Sequence, residues 1–207
     1  MTPTKRIMDV VCALALAIPL APVMVVLAVV ILVTSGRPVF YVAERMKTPD
    51  QGFGLWKFRT MTTVTTDAGV SGGDKTNRIT PVGGFLRRYR LDEIPQLWNI
   101  LRGDISFVGP RPPLRRYVEM FPDIYSEVLK SRPGVTGLAT LVFHKTEERI
   151  LAKSTTTEET EQLYCRRCIP AKAQLDLIYA THQSLCFDLK LMFATVIRRV
   201  SIRSGGR

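Results

Sequence analysis

No charged side chain occurs between Asp9 and Arg37, and every residue from Val10 to Val33 is apolar or proline. Such a run exceeds the roughly 20 residues needed to span the hydrocarbon core of a bilayer. A secretory signal has a shorter apolar region, roughly 7–15 residues, closed by a small-residue cleavage site, so this run is too long for one. Pro19 and Pro22 lie near its middle, where each removes a backbone donor and crowds the preceding turn, at about 3 kcal/mol in an ordinary helix interior. Lys5 and Arg6 precede the run while Arg37, Arg45 and Lys47 follow it, so flanking positive charge assigns no direction. A helix that enters one leaflet, breaks near AIPLAP and returns to the same face fits both facts. A single span that tolerates its prolines is the other shape left open. Either one ties the remainder of the chain to a membrane.

That remainder, 37–207, is long enough to bury a core of its own, and 46% apolar content over the 207 residues argues against disorder. The net charge of +11 points to a polyanionic partner: nucleic acid, phosphorylated metabolites or anionic lipid. No stacking-aromatic module or helix-turn-helix pattern accompanies the cations, which counts against nucleic acid. Cys12, Cys165, Cys168 and Cys186 form no secreted disulfide framework, so a reducing compartment is the simpler reading. The single CxxC at Cys165 and Cys168, with only His144 and His182 in reserve, lacks a second half for a zinc site.

Within this domain, 38–42 and 53–58 read as short strands of a hairpin. Residues 60–78, rich in Thr and Gly, read as a mobile loop. Helical patterning covers 82–89 and then 92–101, where Leu91, Ile94, Leu97, Trp98 and Leu101 form a stripe facing a core or lipid. Prolines on both sides hold Arg111 extended in the turn GPRPP, and Arg132-Pro133-Gly134 marks another turn. The acids of 145–161, Glu147, Glu148, Glu158, Glu159 and Glu161, read as a solvated helical face. Residues 185–203 set Leu189, Phe193, Val196 and Val200 against Lys190, Arg198, Arg199 and Arg203, an amphipathic helix suited to an anionic membrane surface, or to core packing.

The stretch YRLDEIP places Asp92 and Glu93 side by side behind Arg87, Arg88 and Arg90. Adjacent helical residues point about 100° apart, so the two acids cannot face one another as a glycosidase pair does. They can divide labour, one carboxylate attacking a reacting centre while the other helps hold a divalent ion, with the arginines lowering both pKa values and drawing in phosphates. The plainer alternative is that Asp92 caps a helix whose first turn favours acids.

The segments KRIMD (5–9), KFRTM (57–61), RITPVGGFLRRYRLDEIPQLWNILRGDISFVGPRP (78–112) and RPGVTGLAT (132–140), in this order, resemble the bacterial sugar transferase family of monotopic polyprenyl-phosphate phosphoglycosyl transferases. The likeness runs from about Lys5 to Thr195. It implies a helix-rich α+β fold: a re-entrant membrane hairpin over 1–36 broken at Pro19 and Pro22, then a compact domain over 37–207 with a small β-hairpin and amphipathic interfacial helices. That domain would lie on the cytosolic face of the bacterial inner membrane. The implied reaction moves a sugar 1-phosphate from a nucleotide sugar, usually a UDP-sugar, to undecaprenyl phosphate with release of UMP and a requirement for Mg²⁺.

By the same resemblance Asp92 is the nucleophile of a phosphosugar-aspartyl intermediate and Glu93 its partner at the metal. Arg111, Arg88, Lys57, Arg59 and Arg132 are the cations expected to neutralise phosphoryl oxygens, Arg111 first because its turn is rigid. The implied partners are the nucleotide sugar, undecaprenyl phosphate and the membrane, with a homodimer as a further arrangement and no nucleic acid. Ala21-Pro22 stands where the family usually has Ser-Pro, Ala43 where it has Gln, Lys47 and Asp50 where it has glycines, and Thr140 where Gln often follows GLA. The last of these is the departure expected to bear on sugar or nucleotide specificity. A non-catalytic basic scaffold for glycan-assembly enzymes is the alternative function.

Overall fold

The computed structural model describes residues 1–62 and 78–196. Helix α1 runs from Pro3 to Ser35. Thr2 caps it by accepting from Lys5 N, and Pro3 starts it where no backbone donor is needed. Gly36, at φ 73°, closes it by donating to the Leu32 carbonyl. The backbone stays helical through Pro19 and Pro22. This helix is long and apolar enough to cross a bilayer, and most of its large side chains are open to the surroundings.

Both ends of α1 are fastened to the rest of the chain. At its start, Lys5 Nζ pairs with Asp188 Oδ2 at 2.5 Å and donates to the Tyr179 hydroxyl, with Lys5 only 2% exposed. The Arg6 guanidinium donates to the carbonyls of Ile100 and Leu101 at 2.6 and 2.7 Å. Asp9, fully buried, accepts from Ser106 Oγ and Phe107 N. At its end, Arg59 donates to the carbonyls of Ser35, Gly36 and Arg37. Lys5 and Arg6, read from the sequence as flanking charges on a membrane segment, are therefore anchors, and the acidic partner that consumes Lys5 lies 183 positions away.

Strands β1 (Phe40–Met46) and β2 (Gly52–Phe58) form the expected antiparallel hairpin, with Ala43 opposite Leu55. Beyond the hairpin come α2 (Pro81–Arg88), a 3₁₀ turn (Leu91–Glu93), and α3 (Gln96–Arg102). The continuous helix expected over 92–101 is thus divided at Pro95. Leu91, Leu97 and Leu101 of its apolar stripe pack against buried clusters, with Gln96, Asn99 and Ile100 buried beside them, while Trp98 is 55% exposed. The Asn99 side chain accepts from Trp56 N and donates to the Gly54 carbonyl, bonding helix to strand.

A two-stranded parallel ladder joins β3 (Ser106–Val108) to β4 (Gly134–Thr136). Gly109 and Gly134 let the two proline-rich turns touch, because a Cβ on either would fall on the other's backbone. Helices α4 (Arg115–Met120) and α5 (Pro122–Val128) follow β3, and α6 (Leu138–Leu151), α7 (Thr157–Leu163), a π-turn (Tyr164–Cys168), α8 (Ile169–Thr181) and α9 (Leu185–Val196) follow β4. The fold is helix-rich α+β, and its apolar interior is divided into small clusters. Tyr117, Tyr125, Val128, Ile169 and Ala173 form one, while Ala13 with Leu55 and Ile31 with Phe58 bring both halves of α1 into two others.

The loop expected over 60–78 lies mostly outside the described residues, which end at 62 and resume at 78, with Met61 and Ile79 forming an antiparallel bridge. Two further expectations change. The acids of 145–161 are not simply solvated: Glu147 pairs with Lys172, and Glu161 with Arg116 and the Tyr117 hydroxyl. On α9, Leu191 and Ala194 face inward beside buried Asp188, whereas Leu189 and Phe193 point out, Phe193 at 60% exposure. Its basic continuation beyond 196 is outside the described residues.

Because Asp188 has no solvent to fall back on, Lys5→Met should destabilise the fold by about 3–5 kcal/mol, the usual effect of stranding one member of a buried pair. Adding Asp188→Leu should recover most of that loss, as read from urea unfolding in detergent or nanodiscs.

Candidate active site

Helix α2 ends at Tyr89, and Arg90 turns the chain in the left-handed region at φ 56°, a conformation disfavoured for a residue with a Cβ. The reversal delivers Asp92 and Glu93 on a single 3₁₀ turn into a groove of about 780 Å³. From β2, Lys57 Nζ donates to Glu93 Oε1 at 2.8 Å. Arg90 Nη1 stands 4.0 Å from the other Glu93 oxygen. Asp92 has no side-chain hydrogen-bond partner among the described residues. The neighbouring acids are thus made unlike by where their side chains point, one held by a lysine and the other open to the groove.

Electrostatics follow the geometry. Burial and the adjacent Glu93 charge push the Asp92 carboxyl above its ordinary range, opposed by Lys57 and Arg87. Burial also acts upward on Glu93, but Lys57 and Arg111 outweigh it and hold Glu93 below the usual range. Lys57 is itself pulled down by burial, with Glu93 opposing. An adjacent pair with pKa values pushed apart is the pattern that assigns two carboxylates different tasks.

Of the cations singled out from the sequence, Lys57 and Arg111 are brought to the pair; Arg111 makes no ion pair or hydrogen bond among the described residues. Arg59 lines the groove, but both of its terminal nitrogens hold the end of α1. Arg88 points away and lies over the Tyr89 ring at 5.9 Å, while its neighbour Arg87 lines the groove and donates to Thr60 Oγ1. Arg132 is on another side of the molecule, next to Arg6 and Asp9, where burial and Arg6 lower its pKa.

The sequence reading missed Arg45. Among the described residues its guanidinium has one hydrogen bond, to the neighbouring Glu44 carbonyl, and burial together with Arg111 lowers its pKa. The signal was the two-residue period of β1, which puts Tyr41, Ala43 and Arg45 on the face that lines the groove. Arg45 and Arg111 are like charges that act on each other, and neither is in an ion pair among the described residues, an arrangement suited to a ligand with at least two negative charges.

Helices α6 and α8 also line the groove, contributing Thr140, Glu147, Lys172 and Asp176. Lys172 bonds both oxygens of Glu147 at 3.1 and 3.2 Å and lies over the Tyr164 ring. Burial works against the Lys172 charge, but Tyr164 and Glu147 hold its pKa above normal. Asp176, 8% exposed, has no hydrogen-bond partner among the described residues, and burial pushes it up to about 7 against the pull of Lys172.

A family model described as bacterial sugar transferase matches residues 1–201. The chain is 32% identical over 198 residues to a UDP-glucose:undecaprenyl-phosphate glucose-1-phosphate transferase of Klebsiella pneumoniae, covering 94% of this chain and 39% of that protein. It is 32% identical over 210 residues to a UDP-N-acetylgalactosamine-undecaprenyl-phosphate N-acetylgalactosaminephosphotransferase of Aeromonas hydrophila, covering 98% and 45%. An uncharacterized sugar transferase of Bacillus subtilis is 31% identical over 203 residues, covering 97% and 89%. The chain therefore spans less than half the length of the first two relatives and most of the third.

Two titrations check the electrostatics. Carboxyl-carbon NMR should find Asp92 titrating above and Glu93 below ordinary values, and Lys57→Met should move both upward, since Lys57 favours both anions. For Asp176 the folded pKa exceeds the unfolded one, so stability is lost as pH rises from about 4 to about 7. Asp176→Asn should escape that loss and gain on the wild type by up to about 4 kcal/mol across this window; parallel denaturation curves at pH 4 and pH 8 would be equally displaced if the carboxyl were not buried in its neutral form.

Proposed function

We propose, since this chain belongs to the bacterial sugar transferase family, that it transfers a sugar 1-phosphate from a nucleotide sugar, a UDP-sugar by preference, to undecaprenyl phosphate. The observation that carries the reading is the division of the Asp92–Glu93 pair: Glu93 is held by Lys57, while Asp92 is in no ion pair among the described residues and faces a groove rich in cations.

In this mechanism an Asp92 carboxylate oxygen attacks the phosphorus that bears the sugar. A new oxygen–phosphorus bond forms as the bond to the nucleoside monophosphate breaks, and UMP departs with the electron pair. A phosphate oxygen of the lipid then attacks the same phosphorus, displacing the Asp92 carboxylate and leaving sugar joined to lipid through a diphosphate. An anion attacking a diphosphate meets strong repulsion, and Arg45 and Arg111 are there to offset it. Burial and the neighbouring Glu93 charge raise the pKa of Asp92, which makes its carboxylate a better nucleophile than an ordinary one.

Among the described residues no cluster of three or more His, Cys, Asp or Glu side chains exists. Asp92 and Glu93 nevertheless fit Mg²⁺, which commonly takes one or two carboxylates from a protein and completes its shell with substrate phosphate oxygens and water. Glu93, with Asp92 beside it, would hold the ion. When bound, Mg²⁺ would offset the negative charge of the diphosphate.

The same reading gives α1 its purpose, since a lipid phosphate stays at the bilayer surface and an enzyme resting there meets it without extracting its chain. A straight helix would separate Ala13 from Ile31 by about 27 Å at 1.5 Å per residue. Their clusters include Leu55 and Phe58, three steps apart on β2 and so about 10 Å from one another. With both ends of α1 bound to one domain, this supports a bend at Pro19 and Pro22, a re-entrant insertion from one side, and a catalytic domain on the cytosolic face of the bacterial inner membrane.

Purified protein given Mg²⁺, a panel of UDP-sugars and undecaprenyl phosphate should release UMP. Asp92→Asn should reduce the rate by at least about 10³-fold, the scale of losing a covalent nucleophile, and normal turnover by that variant would refute the nucleophile assignment. Single cysteines introduced at positions 3 and 37 in a cysteine-free background should both react with an impermeant thiol reagent from the cytosolic side alone; reaction of one from outside would mean a full span.

A further inference from the structure

Asp176 is a buried carboxyl that nothing in the fold uses. It sits one helical turn after Lys172 on α8, its Oδ1 is closed to solvent, and no donor among the described residues reaches it. Lys172, the nearest cation that acts on it, has its ammonium engaged with both oxygens of Glu147. A buried polar atom without a partner is costly, and a core position of this kind is better filled by an apolar side chain such as leucine. Unlike the buried Asp9 and Asp188, which tie α1 to the domain through hydrogen bonds, Asp176 ties nothing. It does, however, line the same groove as Asp92, on the wall formed by α6 and α8.

Resting on the transferase reading above, we propose that Asp176 is a specificity-determining residue: it accepts a hydrogen bond from a neutral hydroxyl or N–H group of the nucleotide-sugar donor, so that the groove wall built by α6 and α8 reads the donor's identity while Asp92 performs the transfer. The charge arrangement decides against a phosphate at Asp176 itself. The one cation that acts on it, Lys172, is already bonded to both oxygens of Glu147, and a second phosphate-repelling carboxyl stands beside that pair. What α6 and α8 offer is acceptors: the Asp176 carboxyl, the Glu147 carboxylate and the Thr140 hydroxyl. A ligand hydroxyl or imide that meets a buried acceptor is discriminated strongly, because a donor lacking it leaves the acceptor unpaired.

Two sources of such a group exist within one donor, the sugar hydroxyls or acetamido N–H and the nucleobase N–H. The test uses purified full-length protein in nanodiscs with Asp176→Leu, which removes the acceptor, and Asp176→Asn, which keeps a carbonyl of the same shape. One arm varies the sugar on a constant uridine diphosphate; the other varies the base on a constant sugar. KM and kcat are read from nucleoside monophosphate release, and donor binding is read separately from ligand-induced melting shifts.

For Asp176→Leu we expect KM for the best donor to rise at least 10-fold and its preference over the next donor in one arm to fall at least 5-fold. KM for undecaprenyl phosphate should be unchanged, and Asp176→Asn should lie between. The arm whose preference collapses identifies the source. Unchanged KM and preference in both arms, or equal loss for every donor, overturns the inference in whichever variant folds. Wild-type protein that shows donor-specific melting shifts but no monophosphate release would contradict the transferase reading and leave this assignment to the shifts; loss of those shifts in Asp176→Leu upholds it, and their persistence overturns it.

Discussion

The ion pair between Lys57 and Glu93 is the contact on which the site depends. Two carboxylates on consecutive residues of a 3₁₀ turn would repel each other and titrate as a coupled pair if their surroundings were alike. Lys57, delivered from the neighbouring strand at 2.8 Å, makes the surroundings unlike and leaves Asp92 as the free member. The difference has a backbone origin too. Arg90 turns the chain in a left-handed conformation that no glycine relieves, and the two side chains leave the turn in different directions. A mildly strained residue next to a free carboxylate is a combination that folding alone would not retain.

A second constraint comes from α1. Its apolar length would let it leave the domain behind, yet Lys5, Arg6 and Asp9 fix its beginning and Arg59 fixes its end. Burying a lysine and two aspartates at these contacts is unfavourable unless the partners are well placed, and here Tyr179 bonds both Lys5 and Asp188 while Ser106 and the Phe107 amide bond one oxygen of Asp9. The membrane-compatible helix and the groove therefore share one rigid frame. Phe58 packs in the cluster that holds Ile31, and the residue before it, Lys57, holds Glu93.

Much of this was legible in the residues. The β-hairpin followed from alternation and turn residues, and the apolar run from its length, because both depend on local pattern. The Asp92–Glu93 stretch stood out by its adjacent acids among arginines. What could not be read was direction in space. Arg88 and Arg87 are equivalent in the sequence, and only the end of α2 decides that Arg87 enters the groove. Arg132 lies near Gly109 through paired turns, but its side chain goes toward Arg6. The role of Asn99 was not legible, because a lone amide in a helical pattern gives no sign of the two strand backbone groups it bonds. Arg45 and Asp176 were hidden for the same reason: a charge in a strand or helix reads as a solvated face until the opposing element is known.

The central claim is that Asp92 carries the sugar phosphate covalently between donor and lipid. Intact-protein mass spectrometry after incubation with Mg²⁺ and a turnover-competent UDP-sugar, with no lipid acceptor present, tests it most directly. The account predicts a mass increase equal to one sugar phosphate that maps to the peptide containing Asp92 and disappears when undecaprenyl phosphate is added. An enzyme that forms product but never carries that increase, under conditions that stabilise acyl phosphates, would contradict it.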